Sequence, residues 1–115
     1  MELIQTEIKD CFIIKPTVFE DNRGYFFESF NEQKFNELSG MNIHFVQDNQ
    51  AKSNRGILRG LHFQKGEHAQ SKLVRVLQGK VLDVAVDLRK DSPTYLQHVA
   101  IELSAENNLL LFVPR

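Results

Sequence analysis

With 115 residues, 42% hydrophobic and 25% charged, the chain has the make-up of a single globular domain at the small end of the usual range, neither disordered nor membrane-spanning. A net charge of −1 leaves no clustered basic face, which argues against nucleic acid as a partner. The opening Met1-Glu2-Leu3-Ile4-Gln5-Thr6-Glu7 lacks the positive-then-apolar layout of a signal peptide, and Cys11 has no second cysteine to pair with, so a cytoplasmic location is expected.

Short apolar and β-branched runs, separated by polar or Gly, Pro, Asn and Asp turn signals, predict strands over 11–19, 25–30, 43–47, 57–63, 72–77, 81–88, 97–103 and 109–113. Many short strands within one domain, 1–115, imply a sandwich or barrel. Cys11, ahead of Phe12 and Ile13, reads as a packed, inert thiol. A helix of about two turns is expected at 31–38, where Asn31 can cap, Phe35 and Leu38 share a face, and Gly40 can end the turn. The polar stretch Asp48 to Arg55 reads as a loop. No repeat, low-complexity tract or second domain interrupts the chain.

The stretch Leu58-Arg59-Gly60-Leu61-His62-Phe63-Gln64, with Lys72 following, sets an arginine, a histidine and a lysine around one short region. Histidine can take a proton near neutrality, lysine can hold a developing enolate charge, and arginine grips phosphate. Strict alternation would send Arg59 and His62 to opposite faces, leaving Arg59 outward, unless Gly60 marks a bulge that reverses the parity. Next comes a hairpin expected around Gln78 and Gly79, which would oppose Val74 to Asp83 and Lys72 to Ala85. Alternation then gathers Lys72, Asp83 and Asp87 on one face, and Leu73, Leu77, Leu82, Val84, Val86 and Leu88 on the other. On spacing alone the Lys/Asp face is the solvated side of a half-buried strand.

The run Phe19-Glu20-Asp21-Asn22-Arg23-Gly24-Tyr25-Phe26-Phe27-Glu28-Ser29-Phe30, then Phe45-Val46-Gln47-Asp48-Asn49, Leu58 to Phe63, Lys72-Leu73-Val74-Arg75, Asp83-Val84-Ala85-Val86-Asp87 and Leu103-Ser104-Ala105-Glu106-Asn107, resembles dTDP-4-dehydrorhamnose 3,5-epimerases, in order from end to end. The resemblance implies an all-β cupin-type jelly roll, a double-stranded β-helix barrel with one short helix. Family members continue past Arg115, so the expectation is the N-terminal portion of such a barrel. It also implies the reaction: inversion of C3 and C5 of a dTDP-4-keto-6-deoxyhexose, in dTDP-rhamnose biosynthesis, by proton exchange through an enolate. His62 would be the base and Lys72 would hold the enolate charge. Arg23, Glu28, Gln47, Asp48, Asn49, Arg59 and Lys72 match substrate-contact positions, and Asp83 is a possible support for Lys72. The family's tyrosine proton donor, and the carboxylate that orients the histidine, fall outside 1–115; neither Tyr25 nor Tyr95 occupies the donor's position. If the Lys72 face lines the barrel, the apolar face behind it needs a cover, which favours a homodimer.

Many cupins bind metal through a His-x-His pair and a downstream Glu. Here Gln64 follows His62 and Lys72 stands where the Glu would be, a weak ligand and a repelling charge, so no metal is expected. His44, His68 and His98 show no ligand spacing with His62; His68 is near enough to Lys72 for a loop contact with substrate. There is no Gly-x-Gly-x-x-Gly and no phosphate loop, so a diphosphate would be held by scattered cations, and the reaction needs no cofactor because the substrate's carbonyl activates both carbons. Without the resemblance, Gln47 and Asn49 are edge and turn polarity. A non-catalytic sugar-nucleotide binding module on the same scaffold, or a related single-centre epimerase or ketoisomerase, are the alternative readings.

Overall fold

Two apolar runs from opposite ends of the chain pair with each other: Phe12, Ile13 and Ile14 oppose Phe112, Leu111 and Leu110. They lie in strands β2 (Phe12–Lys15) and β8 (Leu110–Val113), the centre of a four-stranded antiparallel sheet completed by β1 (Glu2–Gln5) beside β2 and β5 (Lys72–Arg75) beside β8. The computed structural model describes residues 1–115 throughout. The other elements are β3 (Phe19–Asp21) paired with β4 (Gly24–Phe26), helix α1 (Glu32–Ser39), and the long pair β6 (Lys80–Val86) and β7 (His98–Ser104). No helix is long and apolar enough to cross a membrane.

Alternation along the central sheet divides its side chains between two cores. Phe12, Ile14, Leu110, Phe112 and Leu73 turn toward α1, where Phe35 is the helix's buried residue. Phe12 stacks on Phe112 at 4.8 Å between centroids and Phe35 meets Phe112 edge-on at 5.4 Å. Truncating one such buried ring costs about 3–5 kcal/mol. On the other side, Cys11, Ile13, Val74, Leu111 and Val113 pack against Ala85, Val99, Ile101 and Leu103 of the β6–β7 pair. Cys11 is buried, and desolvation raises its thiol pKa, in keeping with an inert packed sulfur.

Helix α1 forms as its sequence signals require. The Asn31 side chain accepts the Lys34 N–H at 3.0 Å, and Gly40, at φ +69°, closes the last turn through its N–H to Asn36 O at 2.9 Å. Leu38 is 40% exposed, so Phe35 is the one side chain that the helix buries in the core.

Several expected strands differ. The 11–19 run is divided by Pro16, which lacks the N–H a ladder needs, into β2 and β3, and the 25–30 run is strand only over Gly24–Phe26. The polar-flanked β1 was not foreseen. The 43–47 and 57–63 runs are not strands: a ladder needs a partner, no other strand lies beside them, and Val46 and Leu58 stand 85% and 88% exposed. The hairpin at Gln78 and Gly79 is also absent. β5 pairs with β8, placing Lys72 opposite Val113, while β6 pairs with β7. Gly79, at φ +74°, turns the chain from one sheet into the other, and its carbonyl accepts the Ala105 N–H at 3.0 Å, extending the β6–β7 ladder rather than closing a turn onto β5.

Candidate active site

Lys72 opens β5 on the same face as Val74, which packs into the core shared with β6 and β7. Asp83 sits on the inward face of β6, two residues before buried Ala85. The expected side-sharing of Lys72 and Asp83 therefore holds, although it arises between facing sheets and not across one ladder. Burial pushes the Asp83 carboxyl up, against smaller opposing contributions from the Val84 backbone and the Lys72 ammonium.

Asp87 does not share in that pair. Its carboxyl is 0% exposed and takes Arg89 Nε at 2.9 Å, Ser92 Oγ at 2.6 Å and Thr94 Oγ1 at 2.7 Å. Arg89 holds it far below the usual carboxylate range, with the two hydroxyls assisting against burial. The same guanidinium donates to Lys9 O at 2.7 Å and reaches Asp10 at 3.4 Å, fastening the 87–97 connection to the turn before β2. Asp87 keeps the Asp83 face that alternation gives it, its backbone continuing the β6–β7 pairing through its N–H to Gln97 O at 2.9 Å and the Leu96 N–H to its own carbonyl at 2.7 Å. Sequence spacing could not show that Arg89, Ser92 and Thr94 would claim its carboxyl.

His62 and Arg59 lie in the segment between α1 and β5, whose only regular element is a 3-10 turn at Gly66–His68. Since this stretch is no strand, the parity argument about Arg59 does not apply. The chain bends at Gly60, φ +112°, and the His62 ring folds back over it: a Cβ there would meet His62 Nδ1 at 3.6 Å. Arg59 turns toward the preceding loop, donating to Ser53 Oγ at 2.8 Å and Lys52 O at 3.0 Å. Gln47 Nε2 donates to Asn49 Oδ1 at 3.2 Å, which brings these two amides together, with exposed Asp48 between them.

Arg23 and Glu28 already have partners. Arg23 forks onto Asp21 at 2.6 Å across the β3–β4 turn, and Glu28 accepts from Lys34 at 2.8 Å, which lowers its pKa. Glu28 also borders an open recess of about 650 Å³, flanked by Phe19 and Phe26, which oppose each other across β3 and β4. The sequence reading gave these two exposed rings no role; their cross-strand pairing is the signal that marks them. Neither Lys72 nor His62 lines the recess. The structure thus turns Lys72 and Asp83 toward one another and pairs Gln47 with Asn49, and leaves Arg23 and Glu28 on one exposed stretch and Arg59 and His62 on another.

Comparison with known proteins assigns this arrangement to a family. The dTDP-4-dehydrorhamnose 3,5-epimerase family model matches residues 5–115. The chain is 57% identical over 114 residues to the dTDP-4-dehydrorhamnose 3,5-epimerase of Salmonella typhimurium, covering 99% of this chain and 62% of that protein. It superposes on the crystal structure of the enzyme of that name from Elizabethkingia anophelis with a TM-score of 0.95 at 63% identity, covering 100% of this chain and 63% of that one. A Legionella pneumophila dTDP-6-deoxy-D-glucose-3,5-epimerase, solved in complex with dTDP-4-keto-L-rhamnose, gives a TM-score of 0.93 at 46% identity, covering 99% and 60%. The chain therefore spans about three fifths of the length of these relatives. Its sheets and single helix are those of the cupin-type jelly roll such proteins share, and the chain belongs to the dTDP-4-dehydrorhamnose 3,5-epimerase family.

Proposed function

We propose that these residues form the N-terminal portion of a cytoplasmic epimerase that inverts C3 and C5 of a dTDP-4-keto-6-deoxyhexose, in the making of dTDP-rhamnose. The observation that carries this reading is the family match along 5–115, which takes in His62 and Lys72 in their motif blocks. Each C–H beside C4 is acidified by the adjacent carbonyl. His62 removes the proton, the electron pair moves onto the carbonyl oxygen, and the Lys72 ammonium stabilises the enolate; reprotonation from the opposite face inverts the centre. Asp83 supports Lys72 from the facing strand. Arg59 and Arg23 take the diphosphate, while Glu28, Gln47, Asp48 and Asn49 read the nucleoside and sugar. The carbonyl supplies the activation, so no metal or redox cofactor takes part. A second copy covers the outward apolar face of β6, giving a homodimer.

Solvent deuterium incorporation into a dTDP-4-keto-6-deoxyhexose tests this, with the chain as given and with a version extended to family length. Label at both C3 and C5 in the extended version supports the reading. Label at one carbon makes it a single-centre enzyme, and saturable binding without label makes it a binding module.

A further inference from the structure

We propose that Asn36 of α1 is a positioning residue for Gln47 and Asn49, serving as a substitute ladder partner for the segment that carries them. Residues 41–45 have no neighbouring strand, yet Ile43 is held as a strand residue would be. Asn36 Nδ2 donates to Ile43 O at 2.9 Å, and Asn36 Oδ1 accepts the Ile43 N–H at 2.8 Å. One side-chain amide thus supplies the donor–acceptor pair that an adjacent strand would otherwise provide. Asparagine is a poor helix former, and its place inside an eight-residue helix, where its side chain caps neither end, is accounted for by this pairing.

Two further contacts hold the same segment. His44 Nδ1 lies 2.9 Å from Glu32 Oε2 in the first turn of α1. Phe45, on the same side as Ile43, sets its ring edge-on to Phe30 and Phe35 at 5.4 and 5.8 Å. Beyond Phe45 the grip ends, and Val46 is bare to solvent. Gln47 follows Phe45 by two residues, about 7 Å of extended chain, so the direction in which Gln47 and Asn49 project is set by the last fixed points, Ile43 and Phe45. The helix acts as a splint for a substrate-reading segment. This inference rests on the proposed role of Gln47 and Asn49 in reading the nucleoside.

Asn36→Ala and Asn36→Asp separate the possibilities; the second keeps the acceptor for Ile43 N–H but sets a carboxylate against its carbonyl. Amide hydrogen exchange, the side-chain NH₂ signals of Gln47 and Asn49, and the affinities for dTDP and for inorganic pyrophosphate are measured on the intact chain. In Asn36→Ala, Ile43 should lose at least tenfold protection while the β5–β8 amides keep theirs. The Gln47 and Asn49 signals should move and dTDP affinity should fall about three- to tenfold, with pyrophosphate affinity unchanged because Arg59 and Arg23 do not hang from this helix. Equal losses for dTDP and pyrophosphate, or unmoved Gln47 and Asn49 signals once Ile43 is freed, would overturn the proposal. If the unmodified chain binds no dTDP, the functional reading of these residues fails, and the Gln47 and Asn49 signals alone decide whether Asn36 positions them. Should Asn36→Ala unfold, Asn36→Asp answers the same question.

Discussion

Lys72 and Asp83 oppose each other from two different sheets, Lys72 on the inward face of β5 and Asp83 on the inward face of β6. Neither is held to the other by a ladder, so their relation depends on how the two sheets pack through Val74, Ala85, Val99 and Leu111. The consequence is a carboxylate that burial disfavours and a nearby ammonium that only partly compensates.

Asp83→Asn should therefore raise stability at neutral pH. The folded chain holds Asp83 above its ordinary pKa of 3.8, so its contribution is fully present below that value and is lost as pH rises through the raised one. Denaturant unfolding at pH 3 and pH 7 checks this: the variant should match the parent at pH 3 and exceed it at pH 7. Lys72→Met should act oppositely to Asp83→Asn, lowering stability at pH 7, because it removes the charge that favours the carboxylate. A variant Asp83→Asn less stable at pH 7 than at pH 3, relative to the parent, would contradict the assigned cause.

In a family-length version, His62→Ala should abolish deuterium exchange while dTDP affinity stays within a few-fold, since a positioned base contributes about 10²–10⁴ to the rate, and more when it is the sole base. Lys72→Met should lower turnover more than binding if the ammonium acts on the enolate. A loss confined to binding would move Lys72 to the diphosphate. Turnover should also survive exhaustive chelation, because Gln64 and Lys72 stand where metal ligands would be required.

How far the sequence could be read depended on whether each feature is local. Helix α1 was legible because its signals are local: Asn31 caps the N–H of Lys34 three residues on, and Gly40 closes onto Asn36 four residues back. Which residues share a side within β5 and within β6 was legible, because alternation fixes a strand's sides whichever partner it takes. That Lys72 and Asp83 face each other followed from a hairpin the structure does not contain, and comes instead from the packing of two sheets. The strand's partner was not legible: choosing β8 for β5 depends on residues 35 to 41 positions away, and the turn signal at Gly79 fits a change of sheet as well as a hairpin. Ile57, Leu58 and Phe63 have strand composition, but composition cannot supply a neighbour to pair with. His62 and Arg59 were recognisable by residue type and motif, and their orientation was not, because it follows from the Gly60 bend.

The Asp87 cluster makes a prediction of opposite sign to Asp83. Its folded pKa is depressed, so its stabilisation is present above the ordinary value of 3.8 and is lost as pH falls toward the folded one. Asp87→Ala leaves Arg89 without its main partner and should cost about 3 kcal/mol at pH 7, the low end for breaking a buried ion pair. The difference from the parent should shrink as the pH drops below the ordinary value. Urea midpoints across that range test it; a penalty that stays constant with pH would mean that packing, not the carboxylate, carries the effect.

The outward face of the β6–β7 pair carries Leu82, Val84 and Ala100, with Leu82 68% exposed. Around it, Glu102 and His98 continue the same face, opposite Leu82 and Val86. Apolar side chains grouped in this way seek cover, whereas the ring of polar neighbours limits how it can be supplied. A second copy would bury Leu82 and Val84, and sedimentation of the chain should then show a concentration-dependent dimer. Leu82→Lys should shift it to monomer by placing like charges at the centre of the contact. The substitution lies on the side of β6 turned away from Asp83 and Ala85, so the cores and thermal unfolding measured at monomeric concentration should change little. A dimer unaffected by Leu82→Lys would place the self-contact elsewhere, on the exposed 46–68 segment or the free edge of β1, and a strict monomer at high concentration would remove the homodimer proposal altogether.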